Sequence, residues 1–239
     1  MDPDALLMHY RSGGTALAAA ARVGLDEQVP SCPDWSVSDL VGHVGSVHAW
    51  VLACLASAPD DRPRFSDIAG PPADGLIDWY VAVHRELGDA MAAGDLNHVV
   101  PSWAGAVPIR WWLRRQAHEV AVHRWDGERA HGEPAPIDAP LAVDGIDEFL
   151  DVFVPRLGAK LAGTGETIHL HATDIDGEWL VERAADGSQV TRGHAKGDVA
   201  VRGTASDLLL LLWGRRDVGD LETFGDRSVF ESWQENAKV

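Results

Sequence analysis

The stretch "QAHEVAVHRWD", residues 116–126, predicts a helix that carries several titratable side chains. Residues four apart on a helix lie one turn above each other, so Glu119 and His123 project from one face and can converge on one point. His118 lies about 100° further round the axis and faces elsewhere. The peptidase motif His-Glu-x-x-His is absent, because Val122 stands four residues after His118. The stretch therefore offers two ligands for a divalent metal, and a third must come from elsewhere.

This stretch belongs to the last of four segments with helical periodicity, which are separated by breaks containing Pro and Gly. The second segment has a clear start signal, because Ser36 can cap it and Asp39 stands at the third helical position as a shortened capping-box partner. Helices of this number and length predict a four-helix bundle. The segments lie near residues 4–22, 36–57, 73–93 and 109–130.

The second predicted helix carries two histidines that point in different directions. His48 follows the main apolar stripe, whereas His43 lies on the flank, from which it can reach the fourth helix. Metal sites in bundles are commonly built from facing helices in this way. The ordinary alternatives stay open, and from spacing alone they are the commoner case: a Glu–His pair also forms solvated ion pairs, and a single histidine also packs in a core. Arg114 and Arg115 are expected to lie on a solvated face.

The pattern changes from about residue 140, where short alternating runs predict strands: "TIHLHAT", "EWLVERA" and "DVAVRG". The segment "TASDLLLLLWGRR" then predicts a buried helix with Thr204 or Ser206 as its cap. The stretch "HGEPAPIDAP", residues 131–140, contains three prolines and is the predicted linker. We therefore predict an α+β two-domain chain, with a helical bundle at 1–132 and a smaller α+β domain at 140–239.

Composition limits the partners of the chain. Of its 239 residues 46% are apolar and 24% charged, which is typical of a soluble globular protein. The formal net charge of −17 argues against nucleic-acid and anionic-membrane partners, because phosphate binding needs a basic surface. A small anionic substrate is compatible with this net charge if a few arginines form a local positive pocket.

The sequence also favours a cytoplasmic location. Its first residues, "MDPDALLMHY", are acidic where a secretory signal needs a basic start. The longest apolar run, "LLLLLW" at 208–213, is too short to cross a membrane. Cys32 and Cys54 fit neither a metal-site spacing nor a disulfide scaffold, so a reducing compartment is expected. The oligomeric state is not predicted.

Two motifs together resemble a known family. "CPDWSVSDLVGHVGSVHAW", followed further along by "RQAHEVAVHRWDGERAHG", resembles the mycothiol-dependent maleylpyruvate isomerase family, within the wider group of DinB-like metal-binding four-helix bundles. The resemblance implies a divalent metal, usually zinc, held by His43, Glu119 and His123, with mycothiol as the thiol cofactor. The second half is similar to the C-terminal domain of the family, which has a sterol-carrier-like α+β fold.

The resemblance implies a reaction as well. Addition of the mycothiol thiolate to the cis double bond of maleylpyruvate gives a single bond that can rotate, and elimination then releases fumarylpyruvate. An arginine of the C-terminal domain contributes to the active site of the family. Arg215 is the closest match, with Arg216 beside it, although either could instead be a cation at a helix C-terminus. Arg110 and Arg114 are further candidates for binding the substrate carboxylates.

Two alternative functions stay open. The same metal and thiol could transfer mycothiol to another electrophile, which the wider group also does. The chain could also be a non-catalytic module that binds a metal or an apolar ligand. The three predicted metal ligands argue against the second alternative, because a pure binding module has little use for an open coordination position.

Overall fold

The computed structural model describes residues 1–238, which form two compact units, Met1–Ala135 and the part from Pro136 onward. The first unit is helical and the second contains a sheet, so the predicted fold class is confirmed. Within residues 1–238, no helix combines the length and the apolar character that a membrane crossing requires.

The first unit contains the four predicted helices. Their inward faces carry the largest fully buried side chains of this unit, among them Tyr10, Leu17, Leu87 and Trp112. The apolar stripes that predict the helices are therefore the surfaces that form the core. The helices are α1 Pro3–Val23, α2 Val37–Leu55, α3 Leu76–Ala93 and α4 Ile109–Arg129, with a short 3-10 turn at Phe65–Asp67.

A β-hairpin that the sequence analysis did not predict precedes α4. Strands β1 Val99–Ser102 and β2 Gly105–Pro108 pair antiparallel, and their connection is closed by Gly105 with a positive φ of 106°. Each strand is only four residues long and contains a proline, two features that argue against a strand in sequence. The hairpin fixes the start of α4, because the Trp112 indole N–H donates to the Pro101 carbonyl at 3.0 Å.

The predicted capping box of α2 is confirmed. The Ser36 hydroxyl oxygen accepts the Asp39 N–H at 3.2 Å, and the Asp39 carboxylate accepts the Ser36 N–H at 2.9 Å. Hydrogen bonds from the Ser36 side chain and backbone lower the pKa of Asp39. The cap therefore defines the first turn of the helix that carries His43 two turns later.

The second unit is built on a five-stranded sheet with the strand order β5-β4-β3-β6-β7. Neighbouring strands are antiparallel except for β3 and β6, which are parallel. Helix α7 follows β6 directly, and apart from Ser206 its buried residues are all apolar. The strands are β3 Thr167–Ala172, β4 Glu178–Ala184, β5 Gly187–Arg192, β6 Val199–Gly203 and β7 Glu222–Gly225; the helices are α5 Ala139–Glu148, α6 Val154–Leu157, α7 Ala205–Leu212 and α8 Arg227–Asn236.

The start of this unit differs from the prediction of strands from about residue 140. Helix α5 begins at Ala139, continues through a π-helical turn at Phe149–Phe153 and leads into α6. The Asp138 side chain caps α5, and Pro140 lies in its first turn, where a missing N–H costs nothing. The end of the predicted linker is therefore a helix start. For α7 the cap is Thr204, which accepts the Asp207 N–H at 3.1 Å.

We expect Ser36→Ala to lower the free energy of unfolding by about 1 kcal/mol, because it removes the cap of α2. Urea unfolding followed by circular dichroism measures the change. Ser12→Ala is the control, since Ser12 is exposed in the middle of α1 and its loss should change stability by less than about 0.5 kcal/mol. Equal effects of the two substitutions would contradict a specific role for the capping box.

Candidate metal centre

Helices α2 and α4 bring His43, Glu119 and His123 together. The Glu119 Oε1 atom lies 3.7 Å from His43 Nε2 and 3.3 Å from His123 Nε2. One ligand atom from each residue lies within 4.8 Å of the other two. Nitrogen and oxygen ligands of a tetrahedral zinc ion, at bond lengths near 2.0–2.1 Å, lie about 3.3 Å apart. The three residues can therefore hold a divalent ion with small shifts of their side chains.

The Glu119 carboxylate is kept ionised by its neighbours. Arg115, one helical turn earlier, is 5% exposed and pairs with Glu119. Burial by itself raises the pKa of Glu119, but the charges of Arg115 and His123 outweigh it and hold that pKa well below its usual range. The carboxylate is thus in the form that a metal ligand requires.

The second ring nitrogen of His123 is held by another carboxylate. His123 Nδ1 lies 3.0 Å from Asp126 Oδ2, and Asp126, which is fully buried, also accepts a hydrogen bond from the Ser31 hydroxyl. A histidine that donates Nδ1–H to a carboxylate presents the lone pair of Nε2 to the other side. Asp126 therefore orients His123 toward Glu119 and His43.

Two carboxylates also determine the charge of His123. Burial lowers the pKa of this histidine, but Glu119 and Asp126 outweigh burial and raise it to about 9. In the absence of a metal, both ring nitrogens of His123 are therefore protonated at neutral pH, and the ring is positively charged. A metal ion that binds Nε2 must displace the proton on that nitrogen.

Comparison with protein families identifies the family of the chain. The family model "Mycothiol maleylpyruvate isomerase N-terminal domain" matches residues 2–127, and the model "MDMPI C-terminal domain" matches residues 140–232. The chain belongs to the mycothiol maleylpyruvate isomerase family. The family suggested by the two sequence motifs is thus confirmed.

Solved structures and sequence relatives extend the comparison. The crystal structures of the mycothiol-dependent maleylpyruvate isomerase and of a variant of it each match with a TM-score of 0.68 and 16% identity, over 93% of this chain and 93% of theirs. At this identity the likeness shows a shared fold. A protein of Mycobacterium tuberculosis (strain ATCC 25618 / H37Rv), itself named as uncharacterized, is 28% identical over 149 residues, which cover 60% of this chain and 75% of the relative.

The third predicted ligand, His43, lies on the open side of the centre. Its side chain is 33% exposed and its ring lies 4.9 Å from the ring of Trp35, centroid to centroid. It also lines a depression of about 480 Å³, together with Gly42, Phe65 and Pro71. This volume falls within the range of small-molecule sites in proteins. A ligand in the depression would therefore contact the cluster at His43.

The prediction for Arg115 was wrong, and Asp126 was not predicted to belong to the centre. Arg115 was expected on a solvated face, but it is buried against Glu119. A signal for both residues was present, because Arg115 lies four residues before Glu119 and Asp126 three residues after His123 on the same helix. His118 is buried on another face of α4 and does not belong to the cluster, as expected.

Arg215 belongs to the second unit, just after α7. One of its guanidinium nitrogens donates to the Trp213 carbonyl at 2.8 Å, and its backbone N–H donates to the Leu210 carbonyl at 2.7 Å. The Nε atom of neighbouring Arg216 lies 3.0 Å from a carboxylate oxygen of Asp207. The two arginines thus have different partners, and substitutions can separate their roles.

We expect metal affinity at this centre to rise with pH, because His123 must lose its proton before it can bind a metal. Below about pH 9 the apparent affinity should fall by up to tenfold for each pH unit, and about one proton should be released per ion near pH 7. Zinc titration calorimetry in two buffers with different ionisation enthalpies measures both quantities.

His123→Ala should remove the part of the calorimetric signal that comes from this centre. Its loss in the variant therefore assigns that part to the centre. Asp126→Asn should weaken the pH dependence, since it removes one of the two charges that hold the proton on His123. Zinc binding with the same affinity at about pH 6.5 and about pH 8 would contradict the charge state assigned to His123.

Proposed function

We propose that the chain is a metal-dependent enzyme that uses mycothiol to isomerise maleylpyruvate to fumarylpyruvate. The observation that carries the proposal is the convergence of His43, Glu119 and His123, from two helices, in a member of the mycothiol maleylpyruvate isomerase family. Three protein ligands leave at least one coordination position open, which is typical of catalytic zinc sites. An external thiol can occupy that position.

The residues around the centre have separate roles in this proposal. His43, Glu119 and His123 would hold the ion, and zinc fits their nitrogen and carboxylate donors. Asp126 orients His123, while Arg115 offsets the charge of Glu119. A divalent ion bound there would lower the pKa of the mycothiol thiol, so that the sulfur is present as a thiolate at neutral pH.

An external nucleophile is consistent with the cysteines of the chain. Cys54 is buried, and burial raises its pKa to about 11, so it is protonated at neutral pH. A protonated thiol is a poor nucleophile. Mycothiol would supply the sulfur whose addition to the activated alkene permits rotation about the former double bond. The depression beside His43 is the proposed binding position for the small-molecule ligands.

The proposal is tested by asking whether maleylpyruvate turnover depends on both the bound metal and added mycothiol. His43→Ala and His123→Ala should each remove the metal bound at this centre and reduce maleylpyruvate turnover at least a hundredfold, since the ion that activates the thiol is lost. Metal analysis and turnover assays with and without mycothiol measure these effects. His98→Ala, at an exposed position of the same unit, is the matched control and should retain metal and activity.

The cysteine variants complete this test. The double variant Cys32→Ser, Cys54→Ser should keep its mycothiol-dependent activity, because neither sulfur takes part. An inactive double variant that still binds metal would overturn the external-thiol mechanism. Mycothiol-dependent consumption of another electrophile, with no turnover of maleylpyruvate, would assign the centre to thiol transfer instead.

The role of Arg215 is a separate part of the proposal. We propose that its guanidinium binds a substrate carboxylate, for which its planar pair of N–H groups is suited. Its contact with the Trp213 carbonyl supports the competing interpretation, in which it stabilises the end of α7. The two roles predict different effects of substitution.

If Arg215 binds substrate, Arg215→Ala should lower kcat/KM about ten- to a hundredfold, as loss of a charged hydrogen bond of about 1.5–3 kcal/mol implies. Arg215→Lys should not restore the bidentate geometry, and metal content should stay unchanged. Arg216→Ala is the control, because Arg216 pairs with Asp207. A lower melting temperature of Arg215→Ala with unaltered kinetics would leave only the stabilising role.

A further inference from the structure

The second unit contains three histidines, and all three meet at one carboxylate. His169 and His171 lie on β3, Glu178 begins β4, and His194 follows the end of β5. One ligand atom from each of the four residues lies within 4.8 Å of the other three. This cluster, which we call the sheet cluster, is separate in sequence from the candidate centre in the bundle.

The register of the sheet explains why these residues meet. His171 stands directly opposite Glu178 in the antiparallel pairing of β3 and β4. His169 lies two residues earlier on β3, and residues two apart on a strand face the same side. The Gly193 N–H donates to the Glu178 carbonyl at 2.9 Å, which places His194 beside the same carboxylate. Backbone hydrogen bonds thus determine the positions of all four residues.

The side chains are directed at each other. The Glu178 carboxylate lies 2.9 Å from His169 Nε2, 2.8 Å from His194 Nδ1 and 3.4 Å from His171 Nδ1. His169 is 5% exposed, whereas the His194 side chain is 81% exposed. Desolvation raises the pKa of Glu178, but hydrogen bonds from His194 and His169 outweigh it and lower that pKa. The carboxylate is therefore ionised and available as a ligand.

The donor set has a clear preference among metals. Imidazole nitrogen suits zinc, copper and nickel, and three imidazoles with one carboxylate complete the four ligands of a tetrahedral ion. Hard ions such as calcium and magnesium prefer oxygen ligands and do not match three nitrogens. We propose that His169, His171, Glu178 and His194 form a second metal site, for a divalent transition ion such as zinc.

The ligand count predicts a stabilising rather than a catalytic role for the sheet cluster. Four protein ligands leave no coordination position open for a substrate. An ion there would tie residues 193–198, which connect β5 to β6, to the adjoining strands β3 and β4. The cluster borders a depression of about 340 Å³, through which an ion can enter. The inference does not depend on the function proposed for the bundle.

Zinc titration of the full chain, after chelator treatment, tests the second site. The wild type should bind two equivalents, and Glu178→Gln and His194→Ala should each weaken one of them at least tenfold. His194 is largely exposed, so its loss should leave the fold intact. Glu182→Gln is the matched control: it removes the same charge from an exposed position of the same strand and should retain both equivalents.

Variants of each centre distinguish a failure of the sheet cluster to bind metal from a failure of the bundle centre. His43→Ala should lose the bundle equivalent and keep the one that His194→Ala loses. If only the bundle centre fails to bind metal, the wild type takes up one equivalent, and His194→Ala weakens it. Zinc binding with the stoichiometry and affinity of the wild type in either Glu178→Gln or His194→Ala would overturn the four-ligand site and leave a hydrogen-bonded network.

Discussion

The candidate centre in the bundle depends on the carboxylate of Glu119, which is largely shielded from water. A carboxylate removed from water is strongly destabilising unless positive charge and hydrogen-bond donors surround it. Arg115 supplies a permanent charge from the preceding turn, and His123 supplies a second positive group from the following turn. His43, from the facing helix, completes the surroundings. The same arrangement that stabilises this carboxylate also assembles three candidate metal ligands.

The sequence predicted those parts of the structure that depend on local periodicity. The four helices and the Ser36 capping box follow from apolar spacing and from the chemistry of a helix start. The hairpin at 99–108 and helix α5 were missed, because their prolines indicate breaks in sequence but occupy positions where a missing N–H is tolerated. The spacing of four residues pairs Arg115 with Glu119, but it does not show that the pair is shielded from water, because burial depends on which helix faces it.

The two candidate metal-ligand clusters show how differently helices and sheets bring side chains together. On α4 the period of 3.6 residues places Glu119 and His123 on one face, so spacing in sequence already pairs them. On β3 the period of two residues pairs His169 with His171 in the same way. Glu178 and His194 join them only through strand register, which the sequence does not reveal. The helical cluster was therefore found from the sequence, and the sheet cluster was not.

The buried histidines of the bundle show why carboxylates matter more than burial for the candidate centre. His48 is fully buried beside the rings of Tyr10, Tyr80 and His84, and burial holds its pKa well below the usual value. His123 is nearly as buried, yet its pKa is raised to about 9. The difference lies in their partners: aromatic rings surround His48, whereas Glu119 and Asp126 flank His123. A metal ion that replaces the proton on His123 also compensates the two carboxylates, so the charge balance of the centre is kept. The acidic residues beside His123 therefore make it suited to metal binding, while His48 is suited to packing.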